Sequence, residues 1–523
     1  MDKNIYLNLV LNEIPRLLSL LDRNENSPTY GCFDKNYWKY KITDYVNIRF
    51  QEACLTLALL SQHQNKFLNI KNLKDYSIAA IKFWTKIQND DGSFNEYMPN
   101  EHSHVATVFS TYCVANTCLL LKIRDQDVLE SLQKAAKWIS RNDDLIVVNH
   151  DAGAVATLYS LYELFGKKKY LIWNKDKLKK VLNNQNSEGW FSEYGGADIG
   201  YQSFSIYYLA DYYKRSGDKT VLNSLNKAVD FFSYFIHPDY SIGGHYGSRE
   251  TSFVIPDGFE ILSVELPLAS SIANAIRNSL NFKRIIGPYS FDDRFLASGV
   301  YPYLQAYADY KKTKYTELPK DKKEFEKYFK NAGIYVRNTK PFYLIVNLKK
   351  GGVMKVFNKE NLLYNDTGWI IESPKKLITT NGPSSVNLTK DSIEIKGSFF
   401  EHDLKYQTTS TLLMLRFLNS IGFFNKTKSF LRKKLVTKIK TRPIKFYRKI
   451  IFQNDQIKII DSFESNEKIK NLALTHNHTY LYSTSTGLYE IIEPKKSTIK
   501  IPLIEKKGKI EIIITPEEVS FNL

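Results

Sequence analysis

Over roughly the first 310 positions, apolar residues recur at the spacing of one helix face. The pattern predicts helices over 3–21, 44–62, 73–88, 104–122, 127–140, 151–165, 198–214, 219–236, 259–278 and 292–311. Turn-rich stretches separate them, centred near Asp34, Asp91, Asp144, Glu188, Tyr240 and Asp292. The centres fall about 45–57 residues apart, the length of one helical hairpin with its loops. Six such loops imply six hairpins. An (α/α)6-type toroid is their natural closed form, and an open array is the alternative.

One of these loops occurs twice. Gln88–Glu96 reads QNDDGSFNE and Gln185–Glu193 reads QNSEGWFSE. Each is a Gly turn with an aromatic residue and an acid just after it. In arrays of hairpins, loops at one end form the functional surface.

After about residue 330 the periodicity changes to alternating and β-branched runs. Examples are 333–336, 342–346, 352–357, 392–395, 458–460 and 509–514, punctuated by Gly, Asn and Asp. The predicted organisation is a toroid over 1–315, a charged linker over 316–332 and an antiparallel β-sandwich over 333–523. A stretch at about 407–433 reads as helix inside the sandwich.

Composition adds direction. The 523-residue chain is 43% hydrophobic, enough for a large core, and holds 35 Tyr and 31 Phe. Some of those rings are candidate platforms for sugars. The net charge of +18 favours an anionic partner. The basic cluster Lys428–Lys449 carries no recognisable nucleic-acid motif, so nucleic acid is not an expected partner. The four cysteines, Cys32, Cys54, Cys113 and Cys118, form no CxxC pair, which fits a reducing compartment. The N-terminal helix lacks the apolar segment and cleavage site of a signal peptide, and no run of 18 apolar residues suggests a membrane span. A cytoplasmic location is the expectation.

Three loops, one hairpin apart, carry candidate chemistry. The first holds Asn149-His150 at a helix start; Asn149 or Asp151 as a plain helix cap is the bland reading. The second holds Trp190 and Glu193, with Tyr201 and Gln202 beyond. The third is His245-Tyr246-Gly247-Ser248-Arg249-Glu250, where Arg249 could grip a carboxylate at two points or simply pair with Glu250. In a toroid these loops converge on one mouth.

Asn-His at a helix start, followed about 50 residues later by G-W-F-x-E and a Tyr, resembles the heparinase II/III-like and alginate-lyase-like polysaccharide lyases. The resemblance implies a toroid followed by a β-sandwich, over nearly the whole chain. It departs at Gln202, where family members often have His. It implies β-elimination on a uronate-containing glycan. Asn149 and Arg249 would face the substrate carboxylate, His150 or Tyr201 would take the C5 proton, and Tyr201 would protonate the leaving oxygen. Trp190, Glu193, His245, Tyr246 and Gln202 are expected to bind substrate, with His402 as the sandwich residue that reaches the cleft. No cofactor is expected. His476 and His478 could at most hold a structural ion. The rivals are a glycosidase using two of Glu96, Glu101, Glu193, Asp198 and Asp257, a glycan-binding protein without turnover, and a terpene-cyclase-like toroid, which the β-domain argues against.

Overall fold

The computed structural model describes residues 2–62, 70–358, 361–371, 373, 376–403, 408–421, 440–453, 455–475 and 498–522. Among these, helices alternate between an outer and an inner ring in six pairs. The outer helices are Asn4–Leu20, Ile70–Lys86, Gln126–Arg141, Lys168–Asn183, Thr220–Ser233 and Pro267–Asn281. The inner ones are Ala53–Leu60, His104–Leu121, Val148–Phe165, Ile199–Ser216, Asp257–Leu262 and Tyr301–Asp309. The ring closes: Tyr6 on the first helix donates to Glu260 (2.8 Å), and Arg16 pairs with Asp293 (2.7 Å). The predicted closed toroid is therefore present.

The repeated turn explains how neighbouring hairpins lock. Gly92 and Gly189 adopt φ of +93° and +102°, and a Cβ there would lie 2.5 Å from Lys134 O and 2.2 Å from Lys227 O. Both contacts are to the backbone of the next outer helix, so only glycine fits. Gln88 donates to Gly92 O (3.0 Å) and to Ser131 O (2.9 Å); Gln185 donates to Gly189 O and Ser224 O, both at 2.9 Å. Two further copies escaped the sequence reading. Gly31-Cys32-Phe33 closes a longer loop against Ala79 O. His237–Ile242 repeats the turn with Tyr240, at φ +65°, in the glycine position.

Aromatic side chains of non-adjacent inner helices fill the bore of the ring. Tyr112 meets Tyr207 at 3.0 Å and Tyr208 meets Tyr301 at 3.1 Å, hydroxyl to hydroxyl, all four fully buried. One layer towards the loops, Phe109 packs on Tyr208 and Phe204. The toroid is thus a bowl with an aromatic floor. His104–Leu121 is the one helix among the described residues long and apolar enough to cross a membrane, and 72% of it is buried in this core.

The part of the chain from Phe325 onward forms two antiparallel sheets. Five strands, from Phe325–Phe329 to Leu362–Asp366, form the first in sequence order. Its opening strand lies within the stretch read as linker. The second sheet runs Thr498–Ile504, Ile469–Thr475, Trp369–Ile371, Lys376–Thr379, Ser392–Asp403, Lys440–Phe452, Ile457–Ser465, Lys507–Ile514, Val519–Asn522, with Ser385–Leu388 paired to Ser392–Asp403. Phe342–Asn347 is buried at every position: Tyr343 and Ile345 face the toroid core, Leu344 and Val346 the second sheet. This double burial explains its unbroken apolar run. The predicted helical interruption is the helix Thr409–Ser420. The part of the basic cluster before Lys440, and His476 and His478, lie outside the described residues.

Candidate functional site

The inner helices begin at one end of the ring, and the three candidate loops are stitched together there. The chain at 146–148 pairs with that at 192–194: Val148 N–H donates to Ser192 O (3.1 Å) and Tyr194 N–H to Ile146 O (3.0 Å). Ser248 joins the next loop, its hydroxyl to Glu193 O (2.7 Å) and its N–H to Ala197 O (2.9 Å). Asp198 caps the helix Ile199–Ser216 by accepting from Tyr201 N–H (3.2 Å), and it also accepts from Arg249 N–H (2.8 Å). Asn149, His150, Tyr201 and Arg249 are thereby held on one rim.

Asn149 is oriented by Glu193. The carboxylate accepts the Asn149 backbone N–H (3.1 Å) and side-chain amide (2.8 Å). Burial pushes the Glu193 carboxyl well above the usual range. Asn149 is 1% exposed, and its Oδ1 makes no hydrogen bond among the described residues. His150 bonds through Nδ1 to Asp144 (3.0 Å), while its Nε2 has no partner among the described residues and is not enclosed. If Nδ1 carries the proton, Nε2 presents a lone pair to the bowl. Burial lowers the His150 pKa and outweighs the opposing pull of Asp144.

Beneath lies an ionic platform missed in the sequence. Asp151 accepts from His104 Nε2 and Lys177, each at 3.2 Å, and from Asp144 N–H at 2.8 Å. Burial would raise its pKa, but His104 and Lys177 outweigh that and bring it down to about 2. The pattern D-x6-D, with a Lys one helix on, is too common to read as a site from sequence.

Tyr201 is half-buried on the first turn of its helix, stacked on Phe204 and edge-on to Phe253 at 5.6 Å. The Arg249 guanidinium lies 4.2 Å over the Tyr194 ring, not against Glu250. Glu250 turns to the β-domain, where Lys350 meets it at 2.9 Å. Lys350 also donates to His245 O (2.8 Å) and Gly247 O (2.9 Å), and Asn347 donates to Tyr246 O (2.7 Å). The β-domain thus clamps the Arg249 loop with Asn347 and Lys350. The side chain of His402, expected in that role, lies outside what is described; its backbone pairs with Leu377 inside the second sheet.

Four expected substrate-binding residues are structural. Gln202 is fully buried and holds the repeated turn, accepting from Phe191 N–H (3.0 Å) and donating to Gly189 O (3.2 Å). Trp190 is buried and donates to Glu188 (3.0 Å). Tyr246 is buried with its hydroxyl 2.8 Å from His237 Nε2. Glu193 is buried under Asn149. His245 is partly exposed, 3.6 Å from Glu250. Among the described residues, no group of three or more His, Cys, Asp or Glu is placed to hold a metal ion.

Residues 39–254 match the family model described as the ulvan lyase N-terminal domain. No curated protein matches the sequence. Among solved structures, the chain is similar to a Streptomyces coelicolor chondroitin AC lyase in complex with chondroitin sulphate (TM-score 0.59, 7% identity, 98% of this chain and 79% of that one). It is also similar to a Paenibacillus xanthan lyase (TM-score 0.56, 10% identity, 98% of this chain) and spans 57% of that protein's length. At such identities the likeness is one of fold. It bears out the expected toroid followed by a β-domain, and the matching family model is that of an ulvan lyase.

Proposed function

We propose that this chain, which has the fold of the toroid polysaccharide lyases and matches an ulvan lyase N-terminal domain over 39–254, cleaves an acidic, uronate-containing glycan by β-elimination. The observation that carries the reading is the pairing of an oriented Asn149 amide with a His150 whose Nδ1 is tied to Asp144 and whose Nε2 is open. In this reading Asn149, whose Nδ2 gives one hydrogen to Glu193, donates the other, together with Arg249, to the uronate carboxylate as it takes up charge. His150 Nε2 removes the C5 proton, the C4–O bond breaks, and a C4=C5 double bond forms. Tyr201 returns a proton to the leaving oxygen. The net charge of +18 suits an anionic polymer.

Hydrolysis is less well supported, because four of the five candidate carboxylates already have a task and the fifth, Asp257, is only 1% exposed. Glu193 holds Asn149, Glu96 pairs with Arg294, Glu101 accepts two backbone N–H groups, and Asp198 caps a helix. The test is ultraviolet absorbance of the unsaturated uronate during incubation with a panel of uronate polymers, with His150→Ala and Tyr201→Phe as controls. A rise in wild type that both variants abolish supports the reading. New reducing ends without that absorbance would overturn it.

A further inference from the structure

We infer that Arg49, Arg294 and Tyr97 form a second anion-binding subsite, across Phe109 from His150, that takes a sulfate or carboxylate on a sugar flanking the one being cleaved. The inference rests on the proposed glycan reading but concerns residues to which that reading gives no part.

Phe109 sits between the two places. Its ring meets His150 edge-on at 6.0 Å, and the Arg49 guanidinium lies 4.9 Å over the same ring. Guanidinium and imidazole thus flank one phenyl of the bowl floor, a separation that neighbouring sugars of one chain would bridge. Arg49 is 7% exposed. Its Nε and Nη2 hold Glu52. Its Nη1 makes no hydrogen bond among the described residues and is not enclosed. A nearly buried guanidinium therefore keeps one donor for something that enters.

Arg294 stands near it on the short helix Asp293–Gly299, which precedes the last inner helix. Its Nη1 donates to Glu96 (2.9 Å) and to the Tyr97 hydroxyl (3.3 Å). Its Nε and Nη2 have no partner among the described residues and are not enclosed. Two adjacent donors in a planar fork match a carboxylate or sulfate edge. Tyr97, 58% exposed, offers a ring beside that fork, 5.9 Å from the guanidinium carbon. Burial pushes Glu52 up to about 7, so near neutrality the two arginines are not fully cancelled by Glu52 and Glu96. The β-domain buttresses this rim too: Arg416 grips Asp44 through two bonds (3.0 and 3.1 Å), and Asn419 donates to Pro99 O (3.0 Å).

The test compares wild type, Arg294→Ala, Arg294→Lys and Tyr97→Ala on matched sulfated and unsulfated uronate oligosaccharides, short and long. Calorimetric affinity is read for each full-length variant in a His150→Ala background, where the ligand is not cleaved, and KM and kcat are read with His150 intact. For Arg294→Ala we expect about a tenfold loss of affinity for long anionic oligosaccharides, near-unchanged kcat and little change for the shortest ligand. Arg294→Lys should recover part of the loss. A loss confined to sulfated ligands assigns sulfate; a loss on both assigns carboxylate. Unchanged affinity in both Arg294→Ala and Tyr97→Ala, or an equal loss on short and long ligands, overturns the subsite. Because affinity is read without turnover, failure of the lyase reading leaves this result interpretable.

Discussion

Gln88–Glu96 and Gln185–Glu193 share a backbone: in each, a Gln ties a Gly carbonyl to the next outer helix, and a buried Phe follows. Their acids are spent differently. Asp91 accepts from Trp138 Nε1 within the toroid (3.1 Å), whereas Glu188 accepts backbone N–H groups of Asn331 and Ala332 (2.7 and 3.0 Å) and fastens the β-domain. Glu96 holds Arg294; Glu193 holds Asn149. The repeat is a scaffold device, and function enters through the few positions where the copies hold different partners.

The strongest way to test that sameness is to damage both copies alike. Gly189→Ala and Gly92→Ala should each lower unfolding stability by about 3 kcal/mol or more, through strained φ and collision with a carbonyl. Thermal melts showing either variant within about 0.5 kcal/mol of wild type would mean the turn can move aside. The acids should then separate the copies. Glu193→Ala frees the Asn149 amide and should cut kcat about 100-fold. Glu96→Ala should leave kcat within about threefold and act on KM, since its carboxylate meets Arg294 and Ser103 and not Asn149. Equal kcat losses would erase the distinction.

A pH profile sharpens the same contrast. His150 acts as base only when neutral, and burial lowers its pKa, so the acid limb of kcat/KM should fall below the ordinary histidine value of about 6.5. Asp144 pulls that pKa up, so Asp144→Asn should move the limb to still lower pH while slowing the reaction. A limb moving upward would take His150 out of the base role. The smallest effect expected is from Gln88→Ala and Gln185→Ala, about 1–2 kcal/mol each in denaturant unfolding, from two lost bonds at Gln88 and three at Gln185.

The toroid was legible because every hairpin repeats an apolar stripe and a turn at near-constant spacing. The copy at Gly31 was hidden by the long loop that Asp22 and Cys32 close, and the copy at Tyr240 by the absence of glycine. In the β-domain, runs such as 342–346 were plain, while Lys376–Thr379 and Trp369–Ile371 were too short to show a period. For the site, loop position pointed to Asn149, His150, Tyr201 and Arg249. Whether a polar residue meets substrate or the fold is decided by contacts far apart in sequence: Gln202 reaches back to Phe191 and Lys350 reaches Glu250. Arg49 and Arg294 were invisible, because their joint meaning requires the ring to close.

The four tyrosines that meet on the axis stop the ring like a cork. A vessel with one opening has no through-traffic. A chain lying in it must be laid in from the side, and each fragment has to leave by the door through which the next one arrives. Under the lyase activity proposed above, the pace at a crowded rim would be set by exchange, and products still carrying their negative charge would be its natural brake.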